Sequence, residues 1–366
     1  MTHHATLPVP GPGLWSAAGD TPPPVARRRD DGHPGLLPRL LPVGPAPADV
    51  AGHLGRFGAL PYRGAPRRLI GDVEAAGLTG RGGAAFPTYR KLAAMAAGRG
   101  PAPVVIGNGA EGEPASSKDK SLLWFSPHLV LDGLQLAAEA VGSVTIGLYI
   151  HRNPRLHARL AAAIAERAAA GLDAAAVELI EAPHRFLAGE ESALASRVSG
   201  GPALPRYKPP RASQRGVAGR RTLVQNVETL AHLALIARYG PGWFRSAGTP
   251  EEPGSMLATL HQADGRMSVV ETTLGTPIAD LLRLPAQAVL IGGYHGVWLP
   301  GAQAGLLPLA NAALRPLGAA VGAGVLAALP GDRCGLAETA RVVRYLTLES
   351  AGQCGPCFNG LPRIAA

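Results

Sequence analysis

Gly80-Arg81-Gly82-Gly83-Ala84-Ala85-Phe86-Pro87, followed three residues later by Arg90 and Lys91, is the stretch on which the reading of this 366-residue chain turns. Three glycines around one arginine let the backbone bend tightly and approach a ligand with no Cβ in the way. Amide N–H groups in such a loop, with cations beside them, suit a phosphate. Alone, the loop reads better as an ordinary turn in a protein with 48 glycines. Support comes from four further stretches, in order: Asn108-Gly109-Ala110-Glu111-Gly112-Glu113-Pro114, Ala188-Gly189-Glu190-Glu191, Lys208-Pro209-Pro210 and Gln225-Asn226-Val227-Glu228-Thr229.

The flanking segments point to an α/β protein. Val50, Leu54 and Phe57 mark a short helix within 48–62, and Asp72 to Gly77 reads as the end of another. Thr88 to Ala97 is helix-compatible. Pro103 to Ile106 is a short buried strand that delivers Asn108 and Glu111 at its carboxyl end, where open α/β sheets place their ligands. Pro127 suits a first helical turn and opens a helix to Val141. Val144–Ile150 and Val177–Ile180 read as strands, with a helix over Pro154–Ala170 that turns Arg155, Arg159 and Arg167 outward. Alternating strands and helices predict a parallel sheet with covered faces. After Trp243 the pattern changes to short strands at Met256–His261, Ser268–Glu271, Val289–Ile291 and Val297–Leu299, with a helical turn at Ile278–Leu282. A helix is expected over Leu336–Leu348.

Composition narrows the function. Hydrophobic residues make up 46 % and charged ones 17 %, as expected for a globular chain long enough for two or three domains. The net charge of +9 favours anionic partners. Nucleic acid is excluded as the favoured one: the arginines are dispersed, aromatics are 5 %, and no nucleic-acid-binding motif appears. Three cysteines, all after residue 333, exclude a disulfide-built secreted domain. The N-terminus lacks a basic start followed by an apolar core. Leu284 to Leu314 contains no Asp, Glu, Lys or Arg, but Gly292-Gly293, Pro300, Gly301 and Pro308 break it, so it reads as buried strands and turns and not as a membrane span. A cytoplasmic protein is expected. Residues 1–47, rich in Pro and Gly, read as a disordered tail.

The ordered motifs resemble the family of flavin-carrying, NADH-oxidising subunits of respiratory complex I, with homologous subunits in NAD-linked formate dehydrogenases and hydrogenases. That family reads G-R-G-G-A-G-F-P, N-x-D-E-G-E-P, G-E-E-[ST]-A-L, K-P-P and N-N-V-E-T, and closes with E-S-C-G-x-C-x-x-C; the match runs from about Gly77 to Gly360. The resemblance implies a Rossmann-like parallel-sheet domain for FMN and nucleotide over 48–247, a small β-grasp domain of the soluble-ligand-binding type over 248–330, and a truncated helical iron–sulfur-type segment over 331–366.

It also implies roles. Gly80, Arg81, Gly82, Gly83, Ala84 and Phe86 would cradle FMN, with Arg81 and Lys91 supplying positive charge. Asn108, Glu111 and Glu113 would meet flavin carbonyls and ribityl or ribose hydroxyls, and Gly189, Glu190 and Glu191 would complete that wall. Glu113 and Glu191 are the catalytic candidates. Phe186 stands at the family's tyrosine, Lys208 would hold a nucleotide phosphate, and Asn226 and Thr229 the FMN phosphate. The implied function is FMN-dependent electron transfer from NAD(H) to a one-electron partner, another electron-transfer subunit of ferredoxin-like or iron–sulfur type. The alternative is a non-catalytic or partner-dependent flavin-binding subunit. Ala85, Ala110 and Ala351 depart from the family's glycine, aspartate and first cysteine. Of three phenylalanines that sandwich adenine in the family, Phe86 keeps the first, while Ala94 and Arg211 occupy the others; this predicts weak NADH binding and leaves NADPH open.

Cys354-Gly355-Pro356-Cys357 admits three readings: a thioredoxin-type dithiol, a zinc knuckle, or the remnant of the family's iron–sulfur motif. Only nine residues follow it, and a second zinc-ligand pair is missing. In the third reading Cys354 and Cys357 are candidate ligands of an incomplete [4Fe–4S] site, with Cys334 a weaker third. Four thiolates normally hold such a cluster.

Overall fold

The computed structural model describes residue 25 and residues 37–42, 44, 46–62, 64, 66–207 and 210–366. Four strands, Val104–Gly109 (β1), Thr145–His151 (β2), Val177–Ala182 (β3) and Thr222–Asn226 (β4), form the expected parallel sheet in the order β3-β2-β1-β4. The chain moves outward from β1 through β2 to β3, then returns to lay β4 on the other side of β1. That reversal opens a crevice at the carboxyl ends of β1 and β4, the place where open α/β sheets bind ligands. Pairing of Asn108 with Asn226 across the two strands puts both amides at its floor.

The sheet's faces are covered by helices Val50–Phe57 (α1), Pro66–Ala76 (α2), Thr88–Ala96 (α3), Lys118–Phe125 (α4), Pro127–Val141 (α5), Pro154–Ala169 (α6), Glu191–Val198 (α7), Ala212–Arg215 (α8) and Val227–Arg245 (α9). Strand alternation sorts the contacts. Val105, Ile146 and Leu148 pack toward α5, α6 and α9, whereas Val104, Ile106, Tyr149 and Val224 face Leu194 of α7. At Gly133, α5 touches α9 so closely that a Cβ would lie 1.9 Å from the Leu230 carbonyl oxygen. Only glycine fits that crossing.

A second, mixed sheet follows, built from Ser255–His261 (β5), Met267–Thr273 (β6), Ala288–Ile291 (β7), Val297–Pro300 (β8) and Val325–Ala328 (β9) in the order β6-β5-β9-β7-β8. The β5–β9 pairing is parallel; the others are antiparallel. Short helices Gly301–Gly305 (α10) and Asn311–Leu314 (α11) lie between β8 and β9, and Gly335–Leu348 (α12) with Leu361–Ala365 (α13) end the chain. The apolar stretch read as strands and turns therefore also holds two short helices.

Several elements had no counterpart in the sequence reading: strands β4 and β9, and helices α4, α7, α8, α10, α11 and α13. β9 is four residues of Val, Leu and Ala that look like any small apolar run, yet it is the centre of the second sheet. Arg167 is a correction. It points inward, fully buried, bonding Asp132 at 2.8 Å and Asp173 at 2.6 Å, because those carboxylates repay its desolvation. Most of the stretch read as a disordered tail lies outside the described residues. Within it, Leu37–Pro42 is docked: Leu40 and Leu41 are buried, and the Arg39, Leu40 and Leu41 amides donate to the buried Glu271 carboxylate.

Candidate functional site

The glycine loop is fastened before it meets any ligand. Gly80 N–H donates to the Phe86 carbonyl (2.8 Å) and Thr88 N–H to the Leu78 carbonyl (3.0 Å), closing its neck. Arg81 N–H donates to the Thr229 hydroxyl (2.9 Å), tying the loop to the first turn of α9. Gly83 then turns at φ +106°, a conformation side chains resist, and Ala85 sits at φ +49° although it carries a Cβ.

Above the β1/β4 crevice opens a cleft of about 420 Å3. Of the residues singled out in the sequence, Gly82, Gly83, Asn108, Glu111, Glu113, Phe186, Gly189 and Asn226 all line it. Asn108 fixes one wall: its Nδ2 donates to the Gly189 carbonyl (2.8 Å) and its Oδ1 accepts from Ala110 N–H (3.2 Å). Asn226 caps α9 by accepting from Glu228 N–H (3.0 Å) and donates to Asp119 (2.7 Å). The 19-residue α9 thus aims its N-terminus at the cleft. Phe186 meets His295 edge-on at 5.1 Å between ring centres.

Other expected residues stand elsewhere. Thr229 is buried, its hydroxyl engaged by the loop. The Arg81 guanidinium turns behind the loop, donating to Thr79 (3.2 Å) and the Pro253 carbonyl (3.2 Å), and lines a separate cavity of about 310 Å3 together with Gly80. Ala84 and Phe86 are exposed. Glu190 caps α7, accepting from Ser192 and Ala193 N–H at 2.9 Å each. Glu191 pairs with half-buried Lys91 at 3.5 Å. Lys208 lies outside the described residues.

Sequence reading missed two parts of the site. The first is Lys118, 3 % exposed, whose ammonium donates to Asp119 (2.6 Å) and Glu228 (2.9 Å) at the cleft floor. Burial disfavours its charge, but the two carboxylates outweigh that and hold its pKa above the ordinary lysine value. Burial likewise opposes ionisation of Glu228, yet Lys118, His232 and Arg81 draw its carboxyl down to about 2. Asp119 keeps the opposite balance. Desolvation, with Glu111 and Glu228 nearby, pushes it up to about 7 against the pull of Lys118. Nothing but the run Ser116-Ser117-Lys118-Asp119 signalled this, and charges after serines usually mean an exposed helix start.

The second missed part is the contribution of the other sheet. Gly292, His295 and Gly296, between β7 and β8, and Gly318, Ala320, Gly322 and Ala323, before β9, close the cleft's far side. Glu113 joins the halves: its oxygens accept from Ala115 N–H (3.0 Å) and Tyr294 N–H (2.9 Å). It shows moderate surface, but protein atoms crowd it, and that desolvation pushes its carboxyl up to about 7. Gly293 turns at φ +88°, and a Cβ there would lie 2.6 Å from Glu113 Oε2, so both the backbone and the contact favour glycine. Glu228 is a second joint, accepting from Leu257 N–H of β5 at 2.9 Å. The dipeptide Gly292-Gly293 was the available signal.

The residues present fit FMN. Loop amides at Gly82–Gly83 and the α9 N-terminus suit a phosphate, carboxylates at Glu111 and Glu113 accept from hydroxyls, and the glycine-edged walls leave room for a flat ring. They do not fit a four-thiolate iron–sulfur cluster. Cys354 and Cys357 have their sulfurs 3.5 Å apart. Cys334 sits at the N-terminal cap of α12, separated in sequence from the pair by that 14-residue helix. Among the described residues no group of three or more His, Cys, Asp or Glu side chains could hold a metal ion.

Comparison with known proteins gives a consistent answer. Residues 73–235 match the Nuo51 FMN-binding domain. One of the NADH-quinone oxidoreductase F subunits of Rhizobium meliloti is 31 % identical over 312 residues, covering 80 % of this chain and 72 % of that protein. The F subunit of the Streptomyces coelicolor enzyme is 30 % identical over 315 residues, covering 81 % and 70 %. A crystal structure of an NAD+-reducing [NiFe]-hydrogenase in the H2-reduced state superposes with a TM-score of 0.73 at 31 % identity, over 82 % of this chain. The matched part is 53 % of that hydrogenase chain, so the present chain corresponds to about half its length.

Proposed function

The chain belongs to the family of NADH-quinone oxidoreductase F subunits, whose chemistry is FMN-dependent electron transfer from NADH, and from that premise we propose how its own residues divide the work. The observation that carries the proposal is convergence: eight residues from four separated motifs, Gly82 to Asn226, line one cleft at the sheet's switch point. Bound FMN supplies the conversion of a two-electron hydride donor into single-electron steps. Gly82, Gly83 and the α9 N-terminus bind the phosphate end. Asn108 and Glu111 orient the polar edge and ribityl chain. Glu113 pins the Gly293–Tyr294 turn over the cleft and thereby excludes water. Lys91 and Glu191, paired outside the cleft, receive the nucleotide with Lys208.

The same reading assigns 48–247 to flavin and nucleotide, 248–330 to a β-grasp module and 331–366 to a C-terminal helical segment. Support for the middle assignment is the strand order, in which the first and last strands of the unit lie side by side and parallel. The relatives are subunits of larger oxidoreductases, and among the described residues no helix is long and apolar enough to cross a membrane. The proposed partner is an iron–sulfur or ferredoxin-like protein that removes single electrons, and the proposed location is the cytoplasm.

A second reading, a flavin subunit dependent on a partner for nucleotide oxidation, has its own observation. Phe86 is 42 % exposed, and Ala94 and Arg211 are exposed without offering an aromatic face. One experiment separates the two. The purified chain is loaded with FMN, followed by quenching of flavin fluorescence, then titrated anaerobically with NADH and with NADPH. Flavin bleaching by either nucleotide supports oxidation by the chain alone. Quenching without bleaching supports the second reading, and failure to quench overturns both.

A further inference from the structure

We propose that Cys354 and Cys357 form a dithiol–disulfide exchange site, occupying the place where a metal cluster would require two more ligands. The sulfurs stand 3.5 Å apart, with the Cys354 thiol donating to Cys357 Sγ. Both are partly exposed and unpaired, so a small disulfide reaches them from solvent. The spacing is that of consecutive turns: Cys354 precedes the helical segment that begins at Gly355, and Cys357 lies within its first turn. Neighbouring side chains three apart on a helix are close enough to bridge. Cys334 is not part of that turn; it stands at the N-terminal cap of α12.

The segment is held firmly enough for the pair to keep its geometry. Glu349 accepts from Phe186 N–H (2.9 Å), and Gln353 Nε2 donates to the Pro205 carbonyl (2.7 Å). The Tyr345 ring meets Phe186 edge-on at 6.3 Å between centres. The Glu349 and Tyr345 contacts fix the start of the run before Cys354 to Phe186 on the cleft wall, and the Gln353 bond ties its end to the loop at Pro205. The pair is therefore attached to the flavin site through Phe186 without being part of its lining.

The chemistry balances with one added reactant, a low-molecular-weight disulfide. The thiolate of one cysteine attacks a sulfur of that disulfide, forming a mixed disulfide and expelling one thiolate. The second cysteine then attacks its neighbour's sulfur, forming the 354–357 bond and expelling the other thiolate. Two thiol protons are released, two electrons pass to the small molecule, and the reverse sequence restores the dithiol. No metal takes part.

The test uses the full chain loaded with FMN. Equilibration with glutathione disulfide, acid quenching and alkylation should leave one reactive thiol of three, with a mass lower by two hydrogen atoms and a peptide joining 354 to 357. Excess reduced glutathione should restore all three. Cys354→Ser or Cys357→Ser should instead trap a stable glutathione adduct on the remaining partner, while Cys334→Ser should still close the bond. FMN fluorescence quenching by each variant checks that it is folded. Three alkylatable thiols after treatment, or adducts at separate cysteines with no internal bond in the unaltered chain, overturns the proposal. So does anaerobic treatment with iron and sulfide that yields about four irons per chain and loses them in Cys354→Ser.

Discussion

The glycine loop at 80–87 and the cysteine segment at 349–358 depart from the same family pattern by single residues, and the two sites tolerate the change differently. In the loop, Ala85 replaces a glycine, and beside it Ala110 replaces an aspartate, yet the cleft remains lined by eight of the expected residues. In the cysteine segment Ala351 replaces one thiolate, and among the described residues no further ligands gather into a metal site around the remaining pair. A site built from backbone amides, helix ends and buried bonds survives the loss of a side chain. A site built from ligand atoms does not.

Four measurements would break or sharpen that contrast. The largest effect is expected at Lys118, whose removal takes the cation bonded to both buried carboxylates, Asp119 and Glu228, from the cleft floor. Lys118→Met should cost about 3–5 kcal/mol in denaturant unfolding; an unchanged midpoint would mean the backbone cradle does not depend on its buried charges. Next comes Gly83→Val. A β-branched residue at φ +106° is strained by about 1–3 kcal/mol. The loop should relieve that strain by moving, weakening FMN quenching tenfold or more. Soluble protein with normal affinity would refute the assignment of the loop.

The third measurement follows stability against pH. The Glu113 carboxyl is raised from 4.5 to about 7 in the folded chain. Between those values the folded state holds a proton that the unfolded state has released, so stability should decline as pH rises through that window. Asp119, also raised to about 7, adds to the same decline, so Glu113→Gln should make it shallower without abolishing it; an unchanged slope places the titration elsewhere. The smallest effect is at Ala85, a left-handed residue at φ +49°. Ala85→Gly should gain up to about 1 kcal/mol in stability, the relieved strain being offset in part by glycine's entropy. A loss would show that the methyl group packs usefully against the rear cavity.

Much of this was readable beforehand, for a physical reason. β-branched apolar runs and period 3.6 placed β2, β3 and the helices α5, α6 and α12 within one or two residues, because their faces are buried and the pattern records it. They also found the start of β1, whose end lies three residues further on; β4 was not read as a strand. Glycines and carboxylates in motif order identified the cleft. What escaped was whatever depends on distant partners. Arg167 looks solvent-facing until Asp132 and Asp173 are seen beside it. Lys118 looks like a helix-start charge until Glu228, far along the chain, is folded against it. Likewise β9 is too short and plain to announce a central strand.

The cleft's lining begins at Gly82 and ends at Ala323, with the second sheet's turns supplying its far wall. A ribosome making this chain must therefore pass Ala323 before the pocket exists in any closed form. Early-emerging loop and strands have the right residues but no enclosed space to keep a flavin. Cofactor capture must then be a late event in the life of a new chain, following the docking of its second sheet.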